Sequence, residues 1–142
     1  MRITTVGVIG AGAMGSGIAQ LFAQNGYTVL IQDIQQDFID RGLGFIEKNL
    51  TKLVSKEKIS PEGKDEITAR LTGTLDLQDF HKADFVVEAA IEDISIKQDI
   101  FKQLDSITAP ETILASNTSS LSITEIAAVT SRPDKVAGMH FF

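Results

Sequence analysis

The chain has 142 residues, 43% of them hydrophobic, which is enough for the core of one domain. Its net charge of −6 argues against general nucleic-acid or anionic-membrane binding. With no cysteine and only two histidines, His81 and His140, it excludes disulfides, thiol catalysis and Cys-based metal sites and disfavours a His-rich metal centre. The first residues lead directly into a strand and no apolar run is long enough to cross a bilayer, so the expected location is cytoplasmic.

Val6 to Ile9 reads as a buried strand that runs into Gly10-Ala11-Gly12-Ala13-Met14-Gly15 and then a helix. That order is the phosphate-binding corner of a dinucleotide-binding fold. Gly10 permits the tight turn, Gly12 lets backbone approach a pyrophosphate, and Gly15 lets the helix pack on the strand. Ala13 and Met14 open the helix, whose free N–H groups and positive dipole end suit an anion. The helix sets Ile18, Leu21 and Phe22 on one face and stops at Gly26. Tyr27 to Ile31 is a second buried strand, ending at Asp33, where this fold places the carboxylate that hydrogen-bonds the adenosine ribose. A carboxylate there repels the 2′-phosphate of NADP, and Ile34, Gln35 and Gln36 supply no cation to reverse the preference. The expected cofactor is NAD.

Residues 36–56 predict a long helix with Ile39, Leu43, Ile46, Leu50 and Leu53 along one side. A break at 59–63 and a second helix over 62–70 complete a helical hairpin inserted after the second strand. On the first helix Arg41, Lys48, Lys52 and Lys56 share an arc of about 80°, centred about 145° from the apolar stripe. Residues 41–70 hold seven basic and five acidic side chains, a basic island in an acidic chain. Such a face suits a phosphate-bearing ligand such as coenzyme A, with Lys52 and Lys56 as candidates. A solvated helix face is the alternative.

Phe85 to Val87 is the next strand, followed by a helix bearing Ile96, Ile100, Phe101, Leu104 and Ile107. Thr112 to Ala115 is another strand, and Ser122 to Glu125 has capping-box spacing that starts a short helix. Residues 135–142 read as a last strand, and His81 lies in a loop with no assigned function. The alternation predicts an α/β fold: a Rossmann-type, doubly wound, mostly parallel sheet with the inserted hairpin.

Four blocks then resemble one family, the 3-hydroxyacyl-CoA dehydrogenases. They are Gly7 to Gly17, Ala83 to Lys97, Ala115 to Leu121 (ASNTSSL) and Arg132 to Phe142 (RPDKVAGMHFF). The first block alone would also fit 6-phosphogluconate and other 3-hydroxyacid dehydrogenases; the third and fourth are more selective. The resemblance implies that residues 1–142 form an NAD-binding domain serving oxidation of (3S)-3-hydroxyacyl-CoA, in β-oxidation or run reductively in a butanoate route. It implies His140 as the general base and acid, and Ser119 as the hydrogen-bond donor to the substrate oxygen. It also implies Asn117 beside the cofactor's nicotinamide half, Glu92 and Lys97 lining the NAD site where the fourth strand ends, and CoA contact through the hairpin. Imidazole suits the proton transfer because its ordinary pKa lies near working pH.

Family members continue past the two phenylalanines into a glutamate that orients the histidine and a helical second domain that closes the cleft and makes most of the dimer contact. Without these, the chain alone is expected to bind NAD and to turn over weakly or not at all. Two other readings compete: a stand-alone NAD-binding or structural module without catalysis, and a dehydrogenase of free small 3-hydroxy acids.

Overall fold

Val6, Val8, Val29, Ile31, Val86 and Val87 are wholly enclosed in a computed structural model that describes residues 2–118 and 121–139. Short β-branched runs with no polar face are what strands covered on both sides require. In chain order the elements are β1 (Thr5–Ile9), α1 (Ala13–Gln24), β2 (Thr28–Gln32), α2 (Gln36–Ser55), α3 (Pro61–Ala69), β3 (Leu71–Thr74), β4 (Phe85–Glu88), α4 (Ile94–Ile107), β5 (Ile113–Ser116), α5 (Ile123–Ala127) and β6 (Val136–Gly138). Short 3₁₀ helices at Leu77–Lys82 and Pro133–Lys135 fill two of the connections.

The six strands form one sheet in the order β3-β2-β1-β4-β5-β6, every pair parallel. This is the doubly wound dinucleotide order, reversing direction between β1 and β4. Side chains that alternate along the strands feed two cores. Val6, Val8, Val29, Ile31 and Val87 pack with Ile18 and Ala19 of α1, Ile46 and Leu50 of α2 and Ile67 of α3. Ile9, Val86 and Leu114 pack on the opposite face with Phe101 and Leu104 of α4 and Ile126 of α5. Phe80 enters this second core because Gly7 leaves room: a Cβ at Gly7 would lie 2.8 Å from its ring.

The hairpin is the crossover from β2 to β3. Ser60 caps α3 by accepting the Gly63 N–H at 2.9 Å, and Pro61 occupies the first helical turn. α2 lies close against the glycine turn, since a Cβ at Gly42 would meet the Ala11 carbonyl at 2.7 Å.

Two sequence expectations change, and one strand is new. Leu21 is exposed, because the buried face of α1 runs through Gly15, Ser16, Ile18, Ala19 and Ala23, about 150° away by helical geometry. On α4 the buried row is Lys97, Phe101 and Leu104, with Ile96 facing out. β3, a four-residue edge strand interrupted by Gly73, carries too little apolar signal to read from sequence.

Candidate cofactor site

Register sets the site. Ile9 pairs with Gln32 on one side and Glu88 on the other, and Glu88 pairs with Ser116, so the carboxyl ends of β2, β1, β4 and β5 form one row. The next residues, Asp33, Gly10, Ala89 and Asn117, therefore rim one crevice, the place where doubly wound sheets bind ligands.

At the β1–β2 end the glycine turn is stretched across this rim. Gly10 takes a φ of +102°, and a Cβ there would press on the Ala89 carbonyl at 2.7 Å. A Cβ on Gly15 would collide with the Gly10 carbonyl, whereas Gly12 faces open space, with nothing within 4 Å. Gly12 also caps α1 without a side-chain acceptor, which leaves the first helical amides available to an incoming anion. The Asp33 carboxylate joins β2 to this turn: Oδ2 accepts the Ala11 N–H at 2.8 Å and Oδ1 the Ile34 N–H at 2.7 Å. Both oxygens keep a lone pair for a further donor.

A cleft of about 900 Å³ opens over this corner, lined by Gly10, Gly12, Ala13 and Asp33 and walled by Ile34, Ile91, Ile96 and Ile100. Ile34 is 78% exposed and Ile91 74%, so the cleft offers apolar surface on both walls. Arg41 lines the same cleft, its guanidinium 5.8 Å from the Phe38 ring.

The β4–β5 end holds a second, polar cluster. Lys97 Nζ donates to Glu88 Oε2 at 2.6 Å and lies 3.3 Å from Glu92 Oε1. Thr118 donates its hydroxyl to Glu92 Oε2 at 2.6 Å. The Asn117 N–H donates to the Glu88 carbonyl, while Asn117 Oδ1 is buried and lacks a hydrogen-bond partner among the described residues.

Among the sequence candidates, Gly10, Gly12, Ala13 and Asp33 meet in the cleft, with exposed Met14 and buried Gly15 on the helix turn behind it. Glu92, Lys97 and Asn117 gather at the other end of the rim. Lys52 and Lys56 are exposed at the far end of α2, about 15 Å or more along its axis from Gly42. The basic arc is thus divided, Arg41 facing the cleft and the lysines lying beyond it. Ser119 and His140 fall outside the described residues. Glu88, Ser116 and Thr118 escaped sequence reasoning, although an acid closing the apolar run Phe85-Val86-Val87 was a signal.

The description "3-hydroxyacyl-CoA dehydrogenase, NAD binding domain" matches residues 5–142. The chain belongs to this family. The 3-hydroxybutyryl-CoA dehydrogenase of Clostridioides difficile is 52% identical over 135 residues, covering 95% of this chain and 48% of that protein. The 3-hydroxyadipyl-CoA dehydrogenase of Escherichia coli is 40% identical over the whole chain, which covers 30% of it. Among solved structures, the (S)-3-hydroxybutyryl-CoA dehydrogenase of Ralstonia eutropha superposes with a TM-score of 0.96 at 45% identity, covering 99% of this chain and 50% of that one. The chain spans about half the length of the first and third of these relatives.

The family's cofactor is NAD, as Asp33 led us to expect, and the residues present fit it. The open Gly12 cradle and uncapped α1 amides suit the pyrophosphate, Asp33 the ribose, and the orphaned Asn117 Oδ1 a donor at the opposite end. No helix among the described residues is long and apolar enough to cross a membrane.

Proposed function

We propose that this chain is the cofactor-binding part of an NAD-dependent dehydrogenase that oxidises (3S)-3-hydroxyacyl-CoA to 3-oxoacyl-CoA. The observation that carries the reading is the Asp33 carboxylate held against the glycine turn, in a chain of the 3-hydroxyacyl-CoA dehydrogenase family. Gly10, Gly12, Ala13, Met14 and Gly15 present backbone to the pyrophosphate, Asp33 takes the adenosine ribose, and Glu92, Lys97 and Asn117 line the nicotinamide half. NAD supplies the hydride acceptor when bound. His140 takes the proton of the substrate's 3-hydroxyl at an imidazole nitrogen, and Ser119 hydrogen-bonds the same oxygen and orients it. Lys52 and Lys56 meet CoA phosphates. The relatives named above act on hydroxybutyryl and hydroxyadipyl thioesters, so the reading stops at the class 3-hydroxyacyl-CoA.

The Clostridioides difficile and Ralstonia eutropha relatives bring roughly as many residues again, and the Escherichia coli relative more. We therefore assign these 142 residues, by themselves, NAD binding with little or no turnover, in the cytoplasm. One fluorescence trace tests this. NADH is mixed with the purified chain, and acetoacetyl-CoA is then added. A binding signal without subsequent NADH decay supports the reading, and steady decay would show that the chain catalyses unaided. Absence of any NADH signal would overturn it. Replacing the thioester by free acetoacetate separates acyl-CoA chemistry from that of free hydroxy acids in the relatives' full-length setting.

A further inference from the structure

The cleft over the glycine turn is walled mostly by apolar side chains and carries, among the described residues, one charge of each sign, Asp33 and Arg41. The two flank a single residue of the turn. Asp33 Oδ2 accepts the Ala11 N–H at 2.8 Å, and the Ala11 carbonyl lies against Gly42, next to Arg41 in α2. Helical side chains lean toward the helix start. The Arg41 guanidinium does so, lying 5.8 Å from the ring of Phe38, one turn earlier. This turns the cation back toward the end of β2, where Asp33 stands. The two nevertheless form no ion pair, and Arg41 has no carboxylate partner elsewhere among the described residues.

Both groups therefore face a ligand uncommitted to each other. Asp33 accepts two backbone amides and keeps lone pairs for ribose hydroxyls. The exposed guanidinium of Arg41 keeps its donors, in the planar fork that matches a phosphate. A dinucleotide's pyrophosphate has its own partners in the open Gly12 cradle and the uncapped α1 amides. Beside the adenosine ribose, the further phosphate a dinucleotide can carry is the one on the 2′-hydroxyl in NADP. A carboxylate repels that group and a guanidinium attracts it. No cation follows Asp33 directly in the chain; the one that faces it is delivered by the second turn of α2.

We propose that Arg41 is a second specificity-determining residue at the adenosine end, placed to pair with a 2′-phosphate. Rejection of NADP(H) then rests on Asp33 alone, against an opposing pull from Arg41, and one substitution at Asp33 reverses it. The inference rests on the cofactor reading above. Its test is the ratio of Kd for NADPH to Kd for NADH, from fluorescence titrations of the whole chain at about 0.15 M salt. In the wild type the ratio should exceed one. Arg41→Gln, at an exposed helix position that suits glutamine, should raise it about threefold or more. Asp33→Ser removes the repulsion, keeps an oxygen for the Ala11 N–H and should bring the ratio below one. In that background Arg41→Gln should weaken NADPH about tenfold or more, the scale of a charged hydrogen bond, and NADH less than about threefold. Lys48→Gln, the same charge change two turns further along the same face of α2, should leave the ratio where it is.

Equal loss of NADH and NADPH in Arg41→Gln would assign the guanidinium to a part common to both cofactors and overturn the inference, as would no loss of either. A ratio that stays above one in Asp33→Ser overturns the sole role given to that carboxylate. A shift in Lys48→Gln as large as that in Arg41→Gln overturns the direct contact in favour of the general field of α2. Wild-type protein that binds neither NADH nor NADPH overturns the cofactor reading itself, whereas NADH binding with a ratio indifferent to Arg41 overturns this inference alone.

Discussion

A methyl group added at Gly12 meets nothing, and its φ of −72° is one that any residue adopts. The same methyl at Gly15 strikes the Gly10 carbonyl. Two glycines three residues apart thus do different work, and substitution separates them. Gly12→Ala should lower stability by less than about 1 kcal/mol, the scale of a helix N-cap change, while weakening NADH binding about tenfold or more, because the methyl fills space reserved for the pyrophosphate. Gly15→Ala should instead destabilise the fold, since β1 and α1 are pushed apart. Chemical denaturation beside an NADH titration reads both effects, and Gly12→Ala with unaltered affinity would sink the phosphate assignment. Asp33→Ala removes the acceptor of the Ala11 N–H together with the group offered to the ribose. A hydrogen bond to a charged group contributes about 1.5–3 kcal/mol, so the NADH Kd should rise at least about tenfold.

At the scale of elements, one side chain locks the second layer. Arg132 is buried between the end of α4 and the start of β5. Its Nε donates to Asp105 Oδ1 at 2.8 Å, Nη1 to the Ala109 and Thr112 carbonyls, and Nη2 to the Asp105 and Thr108 carbonyls. The Asp105 and Thr108 carbonyls belong to the helix end and those of Ala109 and Thr112 to the turn that follows, and a planar fork of donors answers all four where a lysine's point charge would not. Arg132→Ala should therefore cost about 3–5 kcal/mol in urea unfolding. Because this joint lies at the end of the sheet away from the crevice, the folded variant should bind NADH as the wild type does. A changed Kd would show that the two ends communicate. The same elements show what a sequence discloses. β1, α1, β2 and Asp33 were legible because each signal is local: a strand, a glycine turn, a cap, an acid at the next strand's end. Glu88, and the burial of Lys97 against it, were not. A lysine between Ile96 and Gln98 reads as solvated, and only the pairing of β4 with β5 and the pitch of α4 bring it under the sheet to a carboxylate nine residues away. Arg132 was read as part of a motif, while its task became visible only when α4 ended beside it. Ile96 misled for the matching reason: its apolar side chain faces the cleft rather than the core.

Across the whole molecule, ionised groups divide by end of the sheet. Asp33, Glu88, Glu92 and Lys97 surround the crevice at the carboxyl ends, and Asp84 and Asp105 secure the opposite end. The N–H groups of Thr4 and then Thr5 hold the Asp84 carboxyl below its usual range, clamping the entry of β1 to β4. Burial raises Asp105, but the Ser131 N–H and the Arg132 guanidinium outweigh it and bring it below the usual range as well. A carboxyl whose folded pKa is depressed binds fewer protons folded than unfolded in acid, so stability rises with pH there. Its contribution is complete above the unfolded value of about 3.9 and disappears as pH falls through the lower folded value. The urea midpoint should hence fall steeply below about pH 4. Asp84→Asn/Asp105→Asn should lower the midpoint at neutral pH and flatten that acid limb, because asparagine has no proton to take up. Parallel acid limbs in the two proteins would assign the loss to other carboxylates. Neither substitution touches the crevice, so NADH affinity at neutral pH should survive both; a molecule built this way can lose stability at one end while its cofactor site at the other keeps its geometry.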